Sequence, residues 1–202
     1  MPPILGLLGA PRRSFMATPR FDPTGSVTFD LRRGRVELSG ASERVLVPAA
    51  ALTALLRSAG SEGVRDFGRQ LGTEIGRRVA DRLGQAGADA GVEAVVEHLG
   101  GDLALMGLGS LGAERWGRAL VLIFSDSPFG AEGDELLAAV LEGAIQRAFG
   151  RDVSVMRLAR DDKDVRLLVT GQGGADRVRD LLASGVGWGE ALSRLQAAGG
   201  AS

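Results

Sequence analysis

Between Ala49 and Leu83 a stripe of Gly60, Val64, Gly68, Gly72, Gly76 and Ala80 recurs at a spacing of four. That spacing puts the residues on one face of a helix. An interior glycine costs about 1 kcal/mol relative to alanine, so Gly68, Gly72 and Gly76 together cost about 2–3 kcal/mol of helix stability. Two readings stand beside each other. The composition is skewed, with 31 glycines and, of 24 basic residues, a single lysine, Lys163; coding bias alone would scatter glycine and arginine freely. The other reading is that a second helix or backbone approaches too closely for side chains to intervene. Gly68, Gly72 and Gly76 are therefore the candidate helix-packing or dimer-forming positions.

A parallel stripe, Leu52 and Leu56 and then Phe67, Leu71, Ile75, Val79 and Leu83, supplies the apolar face of the same segment. A break near residues 60–63 divides it into two helices. On the far side Gln70, Glu74, Arg78 and Arg82 stack at the same spacing and read as a solvated face, with Glu74 placed before Arg78 for an i,i+4 ion pair.

Around this segment the pattern alternates between hairpins and helices. Val27 to Leu31 and Arg35 to Leu38 pair through a turn at Gly34, and Val45 to Val47 extend the strand region before Pro48 opens the first helix. Asp89 would cap a helix carrying Val92, Val95, Val96 and Leu99. Leu103 to Leu108 reads as a strand and residues 109–117 as a connection. The run Ala119 to Phe124 is apolar on both faces and belongs in the middle of a covered sheet. Asp134 to Phe149 is an amphipathic helix stopped by Gly150. Val153 to Leu158 and Val165 to Thr170 form a hairpin around an acidic turn. Residues 171–174 read as a flexible joint, and Arg177 to Leu182 and Trp188 to Leu195 as short helical pieces. Hairpins and runs of helices argue for an α+β fold, an antiparallel sheet of hairpins packed against a bundle of helices, over a parallel βαβ sheet.

Chemistry is sparsely provided. The net charge is −1, which gives no general basic surface for nucleic acid. The absence of cysteine removes disulfides, thiol nucleophiles, thiolate metal sites and S-acylation, and fits a reducing cytoplasm. No window of 18 apolar residues would span a membrane. Residues 1–20 read as a disordered lead or a weak anchor, with Met16 a second candidate start. His98 is the one imidazole and lies at the flank of its helix; as an axial haem or metal ligand it lacks companions. Gly107, Gly109 and Gly112 spell a dinucleotide fingerprint, but no helix follows. Asp161, Asp162 and Asp164 lack calcium-loop spacing. No cofactor and no metal site is expected.

The hairpin FDLRRGRVEL, the block from Leu55 to Gly84, the strand and turn RALVLIFSDSPF, the helix LLAAVLEGAIQRAFGRDV and the final hairpin together resemble the 4-vinyl reductase-type domain. That domain shares a ligand-binding superfamily with the small subunits of the TRAPP tethering complex. The likeness covers residues 21–170, with Gly68, Gly72, Gly143 and the turn Asp126-Ser127-Pro128-Phe129 as its best marks; residues 171–202 form a helical tail beyond it. The resemblance implies helices on an antiparallel sheet, a buried apolar pocket for a small or lipid-like ligand, and dimerisation through helices. Relatives act as sensory modules in bacteria, and one has been linked to vinyl-group reduction of a tetrapyrrole. Cysteines found in the last hairpin of many relatives are missing here, as is the acylated cysteine of some TRAPP subunits.

These expectations define a non-catalytic, homodimeric domain binding an apolar small molecule or lipid. Phe67, Leu71, Ile75, Phe129, Leu137 and Leu141 are its candidate pocket residues. A scaffold or small-GTPase-regulator partner is the alternative; it requires an exposed apolar patch on the glycine stripe or near Trp188. Tetrapyrrole reduction is the remote one, since it needs a hydride source that no sequence pattern supplies.

Overall fold

The computed structural model describes residues 20–38, 43–84, 91–117 and 119–199. The expectations for residues 1–19 and for Asp89 lie outside them. The fold is α+β, with antiparallel sheets packed against helices. No helix among the described residues is long and apolar enough to cross a membrane.

Strands β1 (Val27–Asp30), β2 (Arg35–Leu38) and β3 (Glu43–Arg44) form a small antiparallel sheet. Its first turn uses Gly34 at φ +64°, a conformation that favours glycine. The Asp30 carboxylate accepts hydrogen bonds from the backbone N–H groups of Arg32 and Arg33, both at 3.1 Å. Val45 to Val47 do not continue β3; they run exposed and without regular structure into Pro48.

Helix α1 (Ala49–Leu83) is interrupted at Gly60, whose φ of 70° and ψ of 173° kink it within the expected region. Helix α2 (Val92–Leu105) is longer than expected. Leu103, assigned above to a strand, is its fully buried last turn: residue 103 continues the 92, 95, 96, 99 face by one further step of four. The strand lies later. Residues 110–116, expected as a connection, form β4 (Ser110–Trp116), which pairs with β5 (Ala119–Ser125) along its whole length. β4 is an edge strand with little apolar content, so its sequence carries a weak signal.

After a turn in which Asp126 adopts φ 54°, helix α3 (Asp134–Phe149) runs to a left-handed Gly150. β6 (Ser154–Arg160) and β7 (Asp164–Thr170) follow, giving a four-stranded antiparallel sheet of order β4-β5-β7-β6. The expected joint at residues 171–174 is instead the start of α4 (Gln172–Ala183). The N–H groups of Gly174 and Ala175 both donate to the Gly171 carbonyl, closing its first turn. Helix α5 (Trp188–Gly199) ends the described chain.

Strand alternation divides the interior in two. Leu122 and Phe124 of β5 and Leu167 of β7 face the layer of α1, α2 and α3. Val121 and Leu168, on the opposite face, pack with Val178 of α4 and Leu192 of α5. Trp188 docks on this second face, edge to Trp116 with ring centroids 4.7 Å apart.

At Gly72, Gly76 and Gly143 the backbones of α1 and α3 meet with no side chain between them. A Cβ at Gly72 would collide with the Val140 carbonyl oxygen, one at Gly76 with that of Ala144, and one at Gly143 of α3 with that of Arg69. At Gly68 a Cβ would come within 2.7 Å of the Ala139 methyl carbon. The glycine stripe is thus filled by the chain's own α3, and it offers no exposed patch to a partner. Arg57, Arg65 and Arg69 rise from the same side of α1 to Glu132, Glu135 and Glu142, at 2.7, 2.8 and 3.0 Å. Such exposed pairs contribute about 0–1 kcal/mol each; they flank a seam held by backbone proximity.

Candidate functional site

The six candidate pocket residues occupy three different environments. Ile75, Leu137 and Leu141 are fully buried and fill the core between α1, α3 and the sheet. Leu71 is half-buried at its margin, and Phe67 is 41% exposed. Phe129 lines an open cleft of about 360 Å³ at the α1 kink, with Leu56, Gly60 and Val64. Arg57 and Glu132 stand on the rim of that cleft and pair with each other.

A second groove, about 550 Å³, runs along α3 toward β6. It is polar, and its charges are already satisfied: Arg65 by Glu135, Arg69 by Glu142, Arg157 by Asp134 and Arg179 by Asp176. Nothing in it calls for an external group.

The third cleft differs in kind. α2 contributes Val92, Val95, Val96 and Leu99, and the sheet contributes Leu120, Leu122 and Val169. Ile145 and Phe149 of α3 and the following Arg151 and Val153 close it, leaving about 200 Å³. Its walls follow from three local patterns: the valine face of α2, the α-facing side of β5, and the last turn of α3 before Gly150. Binding sites for small molecules are mostly apolar with few polar groups. An apolar cavity of about 150 Å³ accommodates benzene, so this cleft has room for a single ring or a short chain. Arg151 is the one charged residue on its walls. The sequence marked the α2 face as apolar but gave no sign that α3 stops short of filling the space against it.

An adjoining flank of α2 holds a buried ionic cluster. Asp102 is fully buried and accepts from Arg82 Nη1 at 2.8 Å and Arg78 Nε at 3.4 Å. Arg78 is only 3% exposed, and its Nη1 has no hydrogen-bond partner among the described residues. Burial lowers the Arg78 pKa from its ordinary value, and the neighbouring Asp102 opposes that shift. The solvated face expected for Gln70, Glu74, Arg78 and Arg82 is therefore corrected: α2 covers Arg78 and part of Arg82. Glu74 pairs with Arg77 at 3.0 Å and Arg44 at 3.3 Å, not with Arg78. Its pKa is lowered chiefly by the Arg77 hydrogen bond.

His98 is buried beside this cluster with the Phe21 ring edge-on at 6.1 Å. Phe21 lies against Gly101, where a Cβ would meet the ring, and beneath the Arg82 guanidinium at 5.2 Å. The cluster locks α2 to α1 and presents no cleft of its own among those described above. Asp102 was detectable in principle: it stands one turn after His98. Ending α2 at Leu99 hid that relation. Among the described residues no group of three or more His, Asp or Glu would hold a metal ion.

The phenol-responsive sensory domain of the transcription activator PoxR, solved with phenol, aligns at a TM-score of 0.56. The alignment covers 73% of this chain and 86% of that one at 15% sequence identity. This chain shares the fold of that sensory domain. No protein-family profile matches the sequence, and no curated protein matches it.

Proposed function

We propose that this chain is a non-catalytic sensory domain that binds a small apolar molecule in the cleft between α2, α3 and the sheet. The observation that carries the reading is that cleft: about 200 Å³, walled by valine, leucine, isoleucine and phenylalanine, in a fold shared with a phenol-responsive domain. The resemblance to 4-vinyl reductase-type domains, whose bacterial members act as sensory modules, supports the same reading. Binding there is driven by apolar burial, about 25 cal/mol per Å² before the cost of association. The test is calorimetric titration with phenol and with benzyl alcohol. Both bind the parent chain, and Ile145→Trp, which fills the cleft, abolishes binding while the fold is retained. Absence of binding to the parent, or equal binding to the filled variant, overturns the reading.

The domain acts as a homodimer through its N-terminal third. Phe29, Leu31, Val45, Leu46, Val47 and Leu55 are all more than half exposed there. Such a concentration marks an interaction surface. The same surface favours the second reading, a scaffold docking on another protein. Light scattering of the purified chain tests the homodimer: a mass of two chains that falls to one in Leu31→Asp/Leu46→Asp supports it, and a monomeric parent overturns it.

A further inference from the structure

The three clefts differ in how their charges are balanced. At the kink, Arg57 faces Glu132; in the polar groove, each arginine of a pair meets its carboxylate. The apolar cleft carries Arg151 and no acidic residue on its walls. Arg151 makes no hydrogen bond or ion pair with the described residues. Glu93 of α2, next to Val92, pairs with Arg115 at 3.7 Å and does not line the cleft. Asp152, next in sequence, is exposed and does not line the cleft. Gly150, in its left-handed conformation, ends α3 so that the chain turns and sets Arg151 at the cleft wall beyond Phe149.

From this juxtaposition we propose that the ligand is a small carboxylic acid, its ring or short chain among Val95, Val96, Leu122 and Ile145 and its carboxylate on the Arg151 guanidinium. The inference rests on the reading of this cleft as the ligand site and adds the chemical class. A guanidinium offers a planar pair of N–H donors that matches a carboxylate. The apolar walls select for the rest of the molecule, and the volume of about 200 Å³ limits it to one ring or a short chain.

The experiment compares benzoate with benzyl alcohol, and hexanoate with hexan-1-ol, by calorimetry on the full chain. Parent protein binds each acid about tenfold more tightly than its alcohol, as one charge-assisted hydrogen-bonded contact supplies. The preference weakens as salt is raised. In Arg151→Gln the acid loses that factor, while the alcohol binds as before; Arg151→Lys keeps part of it. Arg151 is exposed, so neither substitution threatens the fold. Equal binding of acid and alcohol to the parent, or an acid preference that survives in Arg151→Gln, overturns the carboxylate assignment and leaves the apolar site standing. If neither acids nor alcohols bind, the sensory reading itself fails and this inference with it.

Discussion

Helix α3 meets its neighbours in two opposite ways. Along Ala139, Val140, Gly143 and Ala144 it touches α1 backbone to backbone, with no space for an added methyl group. Near its end, Ile145 and Phe149 stand off from α2 and the sheet across a cleft of about 200 Å³. The same helix thus has a seam that tolerates nothing and a margin that has room to spare. The seam fixes where α3 sits. Because it is fixed, the far end cannot slide over to fill the gap, and the cleft stays open.

Substitutions probe that contrast. The largest effect belongs to Gly72→Leu. The Val140 carbonyl oxygen lies where its Cβ would go, so the helices must part, at a cost of about 3 kcal/mol or more on top of lost packing. Urea unfolding followed by circular dichroism loses its cooperative transition, whereas the exposed Gly173→Ala leaves it intact. Asp102→Asn comes next. It leaves Arg78 and Arg82 without their carboxylate in a buried setting and costs about 3–5 kcal/mol, read as a lower urea midpoint.

Ile145→Trp, on the cleft side of the same helix, shifts stability by less than about 1 kcal/mol because it enters space already empty. Its signature is lost ligand binding at a nearly unchanged melting temperature. The smallest effect is at Glu74. Its folded-state pKa is lowered from 4.5, so its contribution is present above that value and fades as pH falls through the lowered one. Glu74→Gln therefore lowers stability slightly at neutral pH, where the pairing is present, and the two stability–pH curves converge as pH falls below about 4.5, so the acid limb of the variant is flatter. An unchanged acid limb contradicts the pairing with Arg77 and Arg44.

Legibility in the sequence follows the same division. The seam was readable because glycine at Gly68, Gly72 and Gly76 is costly enough to need a reason. The central strand Ala119 to Phe124 was readable because apolar residues on both faces leave few alternatives. Leu103 reads as strand when α2 is ended at Leu99; once the helix runs on to Leu105, Asp102, which carries no signal in the sequence reading, falls on its buried side. β4 was missed because an edge strand reading Ser-Leu-Gly-Ala-Glu-Arg-Trp borrows its order from its partner β5. The cleft is the deepest case. Every apolar residue lining it looks like core in one dimension, and only the fixed distance between helices decides whether Ile75 and Leu137 touch their neighbours while Ile145 does not reach across. A packed side chain and a pocket-lining one share the same chemistry; they differ in the geometry set elsewhere.

Amide chemical-shift mapping during a benzyl alcohol titration tests the central claim most directly. Perturbations are expected at residues 92–99, 120–122 and 145–153, with Leu56, Val64 and Phe129 of the kink unmoved. Shifts gathered at the kink instead, or no saturable shifts at any concentration, would contradict it.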